Sequence, residues 1–136
     1  MNQTHTLLSY SMMNTKEKGD IAVGRAIAYF MSSGHEVCLP IGDKRDYDFV
    51  IEKSGLLKKV QVKFAGLYKD GHCKAGLRVT GGNQSFGYAR KYSHNAFDLL
   101  FVFTHRQEIY LIPWRDVDVR NEITVDHPKY KKYKIA

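Results

Sequence analysis

Apolar residues along this chain recur first at a helical period and then at a strand period. Within residues 15–33, Ile21, Ala22, Ile27, Ala28, Phe30 and Met31 fall near the spacing of one helix face, and Gly34 supplies a stop. Asn14 or Thr15 is the expected N-cap. The period then changes to two. Residues 35–39 read as a short strand, 40–45 as a turn carrying Gly42 and Asp43, and 47–52 as a second strand with Phe49 and Ile51 on one face. Ser54 and Gly55 turn the chain into a third strand over 56–64. A helix followed by a meander of strands is the arrangement in which the helix covers a sheet face.

Beyond this point the pattern loosens. Residues 65–90 hold six glycines, and only the run GLRVT has strand character, so this stretch is expected to form loops or a hairpin. The nearly continuous apolar run DLLFVFT (98–104) suits a buried central strand, with 108–112 as its neighbour and Pro113 ending the sheet. The last segment, NEITVDHPKYKKYKIA, alternates aromatic and basic residues and reads as a terminal strand, an arm or part of an oligomer interface. Trp114 is expected as a core or interface anchor. With 136 residues and no internal repeat or linker, a single domain is expected.

Composition adds few constraints. Hydrophobic residues at 43% and charged residues at 26% are globular values, and no apolar stretch is long enough to span a bilayer. The first residues lack the pattern of a secretory signal, so the cytoplasm is the expected compartment. Cys38 and Cys73 lie far apart without a CxxC partner, which argues for reduced thiols. Charge is more telling. The net charge is +7, and residues 53–91 carry nine basic side chains against one acid, Asp70, a field suited to a phosphate backbone.

One constellation carries chemistry. Asp48 is followed by Gln61 and Lys63, with Val60 and Val62 interleaved, and a period of two puts Gln61 and Lys63 on one face. If the strand of Asp48 pairs with that of Gln61 across the Ser54-Gly55 turn, all three polar groups converge. Phosphodiester hydrolysis needs a hard cation and a positive group near the attacking water. Magnesium, or another divalent cation such as manganese, takes oxygen ligands, so Asp48, the Gln61 amide oxygen and the Val62 main-chain carbonyl suffice as a protein shell. Lys63 would orient or deprotonate the nucleophile, its pKa lowered by desolvation or raised by Asp48. By spacing alone, QVK is also an ordinary amphipathic strand with a solvated lysine.

Residues 14–66 resemble the PD-(D/E)XK nucleases, most closely the bacterial group I intron homing endonucleases built on that fold. The marks are Lys18-Gly19 at the helix start, GHEV opening the first strand, LPIGDKRDYDFVI around Asp48, and VQVK with glutamine in place of the usual second acid. The later FDLLFVFTHRQEIYLIPW is similar to the strand pair that follows in these proteins. The resemblance implies an α/β, restriction-endonuclease-like fold with a mixed central sheet flanked by helices. It further implies a divalent metal, duplex DNA as substrate, 5′-phosphate products and a symmetric homo-oligomer, dimer or tetramer. Asp48, Gln61 and Lys63 take the roles of metal-binding acid, metal-site amide and catalytic lysine.

The sequence departs from the pattern at one position. Four residues after the helix glycine such proteins carry a glutamate of the metal shell, and here Val23 stands there. Asp20 and Glu17 lie roughly one and two turns before it and are the candidate substitutes, or else helix-start acids favoured by the dipole. Cleavage by this chain is therefore expected to be impaired while DNA binding persists. The resemblance starts near Met13, so residues 1–12 are expected to be an extension.

Residues 67–91 are the expected DNA-reading element. There Arg78 and Arg90 suit guanine, Asn83 and Gln84 adenine, and Lys69, Lys74 and Lys91 phosphate, with Ser85 a further candidate contact. Lys44 and Arg45 are placed to hold a phosphate beside the scissile bond, or are simple turn residues. The alternatives are a Holliday-junction resolvase-like nuclease and a non-catalytic DNA-binding protein on the same fold. An RNA-binding module is disfavoured by the absence of an aromatic base-stacking motif.

Overall fold

The computed structural model of the protein describes residues 9–80 and 89–136. Helix α1 (Thr15–Ser32) begins at a capping box. The Asn14 side chain accepts from the Glu17 N–H at 2.8 Å, and the Asn14 N–H donates to the Glu17 carboxylate at 3.0 Å. Gly34, at a φ of +85°, turns the chain out of the helix, as a residue without a Cβ can do most cheaply. Ala22, Ala26 and Phe30 form the buried stripe of α1.

Strand β1 (Glu36–Cys38) pairs antiparallel with β2 (Phe49–Lys53), and β2 with β3 (Leu56–Leu67). Ser54 and Gly55, both at positive φ (56° and 82°), close the β2–β3 hairpin in the two-residue turn whose twist suits antiparallel strands. Strand β3 also pairs in parallel with β7 (Leu99–Thr104), which pairs antiparallel with β8 (Ile109–Pro113). The mixed sheet therefore runs β1-β2-β3-β7-β8, with β4 (Cys73–Gly76) joined to the far end of β3 and β9 (Glu122–Thr124) paired to β4.

Each sheet face has its own core. On the α1 side, Phe30 packs with Phe49, Val60, Val62, Phe101 and Phe103. On the other side, Leu100, Val102 and Ile112 pack against Trp114, Tyr130 and Phe97. Burial of each such aromatic contributes about 1.5–3 kcal/mol. That β7 supplies both cores, through alternate residues, explains its unbroken apolar run. Among the described residues no helix is long and apolar enough to cross a membrane.

Four details differ from the sequence reading. Strand β3 continues past residue 64 to Leu67, because Gly66 and Leu67 gain a partner in β4. Strand β4 itself lies where loops or a hairpin were expected. The expected hairpin follows it, as β5 (Arg78–Thr80) paired with β6 (Ala89–Lys91). The C-terminal aromatics serve the chain's own core: Tyr130, on the 3-10 helix Pro128–Tyr133, is buried, and Lys134 is ion-paired with Glu108 at 2.6 Å. Within the expected N-terminal extension, residues 1–8 lie outside the described residues. Tyr10, by contrast, sets its ring edge-on against Phe64 and His105 at 5.3 and 5.6 Å, so this part docks on the sheet. Both cysteines are free, Cys38 exposed and Cys73 buried.

Candidate active site

The polar face of β3 is built by the end of β2. The last β2–β3 pair is Phe49 with Val60, so further along β3 the Val62 N–H has no strand partner on that side. Asp48, the residue before β2, takes its place: its carboxylate accepts from the Val62 N–H at 2.7 Å, while the Asp48 N–H donates to the Val60 carbonyl at 2.8 Å. The Val62 carbonyl points to the same side as its N–H. Gln61 and Lys63 alternate with Val60 and Val62, so they face away from α1. The amide oxygen of Gln61 accepts from the same Val62 N–H at 3.0 Å. Asp48 and Gln61 thus present two oxygens around one donor.

The surroundings of Asp48 are unusual for a carboxylate. Burial raises its pKa above the ordinary 3.8, and neither the hydrogen bond from Val62 nor the positive charge of Lys63 offsets that. A half-buried carboxylate with too little compensating charge, beside a hard amide oxygen, suits a divalent cation with oxygen ligands. Among the described residues no group of three His, Cys, Asp or Glu side chains gathers.

A stability prediction follows from the raised pKa. Ionising Asp48 costs folding stability; the cost is absent well below pH 3.8, sets in between that value and the raised pKa, and is fully present at neutral pH. Asp48→Asn, which keeps an acceptor for the Val62 N–H, should therefore melt at or above the parent temperature in chelator at neutral pH. Magnesium should stabilise the parent and leave the variant unchanged. Thermal unfolding with and without magnesium measures both, and a variant clearly less stable in chelator would contradict the assignment of strain to this carboxylate.

The candidate substitutes for the acid at position 23 are engaged elsewhere. Glu17 caps its own helix, and Asp20 is exposed and paired with Lys16 at 3.2 Å. Val23 is half-buried against the core on the α1 side of the sheet. Of the expected DNA contacts, Lys44, Arg45, Lys69 and Lys91 are exposed. Arg78 is exposed on the β5–β6 hairpin. Lys74 is held by Asp70 at 2.8 Å, and Arg90 grips Asp46 through two bonds of 2.6 and 3.1 Å. Asn83, Gln84 and Ser85 lie outside the described residues.

Some neighbours of the site carry no sequence signal. Lys59, two residues before Gln61 on the same face, donates to the Asn95 carbonyl at 3.2 Å. It lines a cleft of about 540 Å³ with Lys58, His94, Asn95, Asp98 and Arg115. Tyr92 and Asp46 both touch Gln61. These contacts join segments far apart in the chain, which is why no local pattern marks them.

A mixed sheet with one flanking helix, bearing an acid just before one strand and an amide and amine on the next, defines a nuclease of the restriction-endonuclease-like class. The family model of the PD-(D/E)XK endonucleases matches residues 13–134, and the chain belongs to that family. Among solved structures, that of a bacterial homing endonuclease, I-Ssp6803I, is similar, with a TM-score of 0.77 and 31% identity, covering 90% of this chain and 89% of that one. Comparison with curated protein sequences gives no significant match.

Proposed function

We propose that this endonuclease is a site-specific, divalent-metal-dependent enzyme of the homing type acting on duplex DNA, with a metal shell weakened by Val23. The observation that carries the reading is the convergence of Asp48 and Gln61 on the Val62 N–H, with the Lys63 charge acting on Asp48.

Asp48, the Gln61 amide oxygen and the Val62 carbonyl would hold the cation. When bound, magnesium or manganese polarises the phosphodiester and makes water a stronger nucleophile. The chain's own groups do the rest. Lys63 Nζ, on the same face, orients the attacking water and balances charge developing on the phosphate. Lys44, Arg45 and the Lys58–Lys59 cleft provide positive charge for the backbone on either side, and the β5–β6 hairpin supplies base contacts through Arg78. Two antiparallel strands call for two sites related by a two-fold axis, which supports a symmetric homo-oligomer. DNA as substrate puts the working compartment with a bacterial chromosome, in the cytoplasm.

Selection from randomised linear duplexes at controlled salt and magnesium tests this. One recovered sequence, bound tightly and nicked slowly only with divalent cation, is the expected result. Equal binding of all duplexes together with preference for a four-way junction would instead assign the chain to junction resolution. Specific binding with no nicking, even after the acid at position 23 is supplied, would leave a DNA-binding protein on a nuclease fold.

A further inference from the structure

A glutamine in a metal site poses a problem that an acid does not. Either rotation of a carboxylate presents oxygen to a cation, whereas an amide turned half-way round presents its NH2 group. Something must choose the rotamer. Here Gln61 is 8% exposed, and its Nε2 donates to the Asp46 main-chain carbonyl at 3.0 Å and to the Tyr92 hydroxyl at 2.8 Å. The Asp46 carbonyl can only accept, so it fixes which end of the amide is nitrogen. The oxygen then faces Asp48 across the Val62 N–H.

Both partners are themselves anchored. Tyr92 is 5% exposed, edge-on to Phe97 and Trp114 with centroids at 5.1 and 6.0 Å. The Lys63 ammonium lies 5.2 Å from the centroid of the same ring, so one side chain touches both the amide and the lysine. Asp46 is clamped by Arg90, two residues before Tyr92. One short run of chain leaving β6 therefore reaches the site twice, once through an ion pair and once through a hydroxyl.

We infer that Tyr92 is a positioning residue of this endonuclease: with the Asp46 carbonyl it locks the Gln61 amide so that its oxygen, not its nitrogen, faces the cation. The inference rests on the reading of Gln61 as a metal-site amide, and it predicts that the lock sets cation affinity.

Tyr92→Phe removes only the hydroxyl and keeps the ring that packs on Phe97, Trp114 and Lys63. In the parent, the side-chain amide protons of Gln61, identified by NMR through their loss in Gln61→Ala, should exchange with solvent more slowly than those of the exposed Gln107. In Tyr92→Phe they should exchange faster while the thermal midpoint stays close to the parent's. Manganese affinity, measured by calorimetry without DNA, should fall about tenfold, as for loss of an outer-shell partner. Unprotected Gln61 protons in the parent overturn the lock even if the variant does not fold. Faster exchange with unchanged manganese affinity overturns its link to the cation. If Gln61→Ala binds manganese as well as the parent does, the metal-site reading fails, a result distinct from failure of the lock, which the exchange rates report alone.

Discussion

Val23→Glu should raise magnesium-dependent DNA cleavage by orders of magnitude. The site as it stands offers a cation one carboxylate, Asp48, and a neutral amide, while Glu17 caps its helix and Asp20 pairs with Lys16 at the surface. Position 23 lies on α1, on the opposite sheet face from Gln61 and Lys63, so a glutamate there would approach the cation from the α1 side, past the edge that carries Asp48. A second carboxylate there would increase both the charge and the number of ligands, the two quantities that set affinity for a hard cation. The same change has an opposite effect without metal. It puts a carboxylate where a valine was half-buried among apolar groups, at a cost of roughly 1–3 kcal/mol. Thermal unfolding should show the variant less stable than the parent in chelator and regaining stability as magnesium rises. Single-turnover cleavage at saturating magnesium provides the decisive measurement: equal rates in the two proteins would end the argument.

In that restored background, Lys63→Ala should lower the cleavage rate by about 10²–10⁴-fold, the usual contribution of a positioned proton-transfer or charge-stabilising group. Binding to the selected duplex should change little, because one half-buried ammonium is a small part of a field spread over Lys44, Arg45, Lys58, Lys59 and Lys91. The lysine also acts on its neighbour. Its charge lowers the Asp48 pKa against the larger effect of burial, so its removal lets that pKa rise further. The pH at which manganese binding reaches half its plateau should then move upward, because protons compete longer for the carboxylate. A gel-shift titration, a cleavage time course and calorimetry at several pH values separate these effects. Undiminished cleavage by Lys63→Ala would remove the lysine from the reaction.

The helix and the β2–β3 hairpin were legible in the sequence because their determinants are local. Asn14 and Glu17 lie three residues apart, Ser54-Gly55 is a turn in itself, and Phe49 and Ile51 alternate with polar neighbours. Convergence of Asp48 with Gln61 followed from that hairpin alone. Strand β4 was not legible and β9 only as one reading of the terminal segment, since each is short and is held by pairing with residues distant in sequence, Lys74 with Thr124 among them. The role of Tyr92 escaped for the same reason: it meets Gln61 and Trp114 only after the sheet has assembled. Glu17 and Asp20 illustrate the limit of a helical-face argument. Spacing put them near position 23, and in the structure Glu17 bonds the helix N-cap and Asp20 pairs with Lys16.

The parallel pairing of β3 with β7, Val60 beside Leu99 and Ala65 beside Thr104, bears on how the protein acquires its shape. Zipping of β2 onto β3 closes a two-residue loop and is fast, whereas docking β7 must first restrict the long intervening stretch of chain. The acid and the amide are therefore expected to meet early, in a hairpin still open on its other edge, with arrival of β7 setting the rate of reaching the native state. Truncating Val102, buried between β3 and β8, should accordingly slow refolding more than truncating Ile51 in the hairpin.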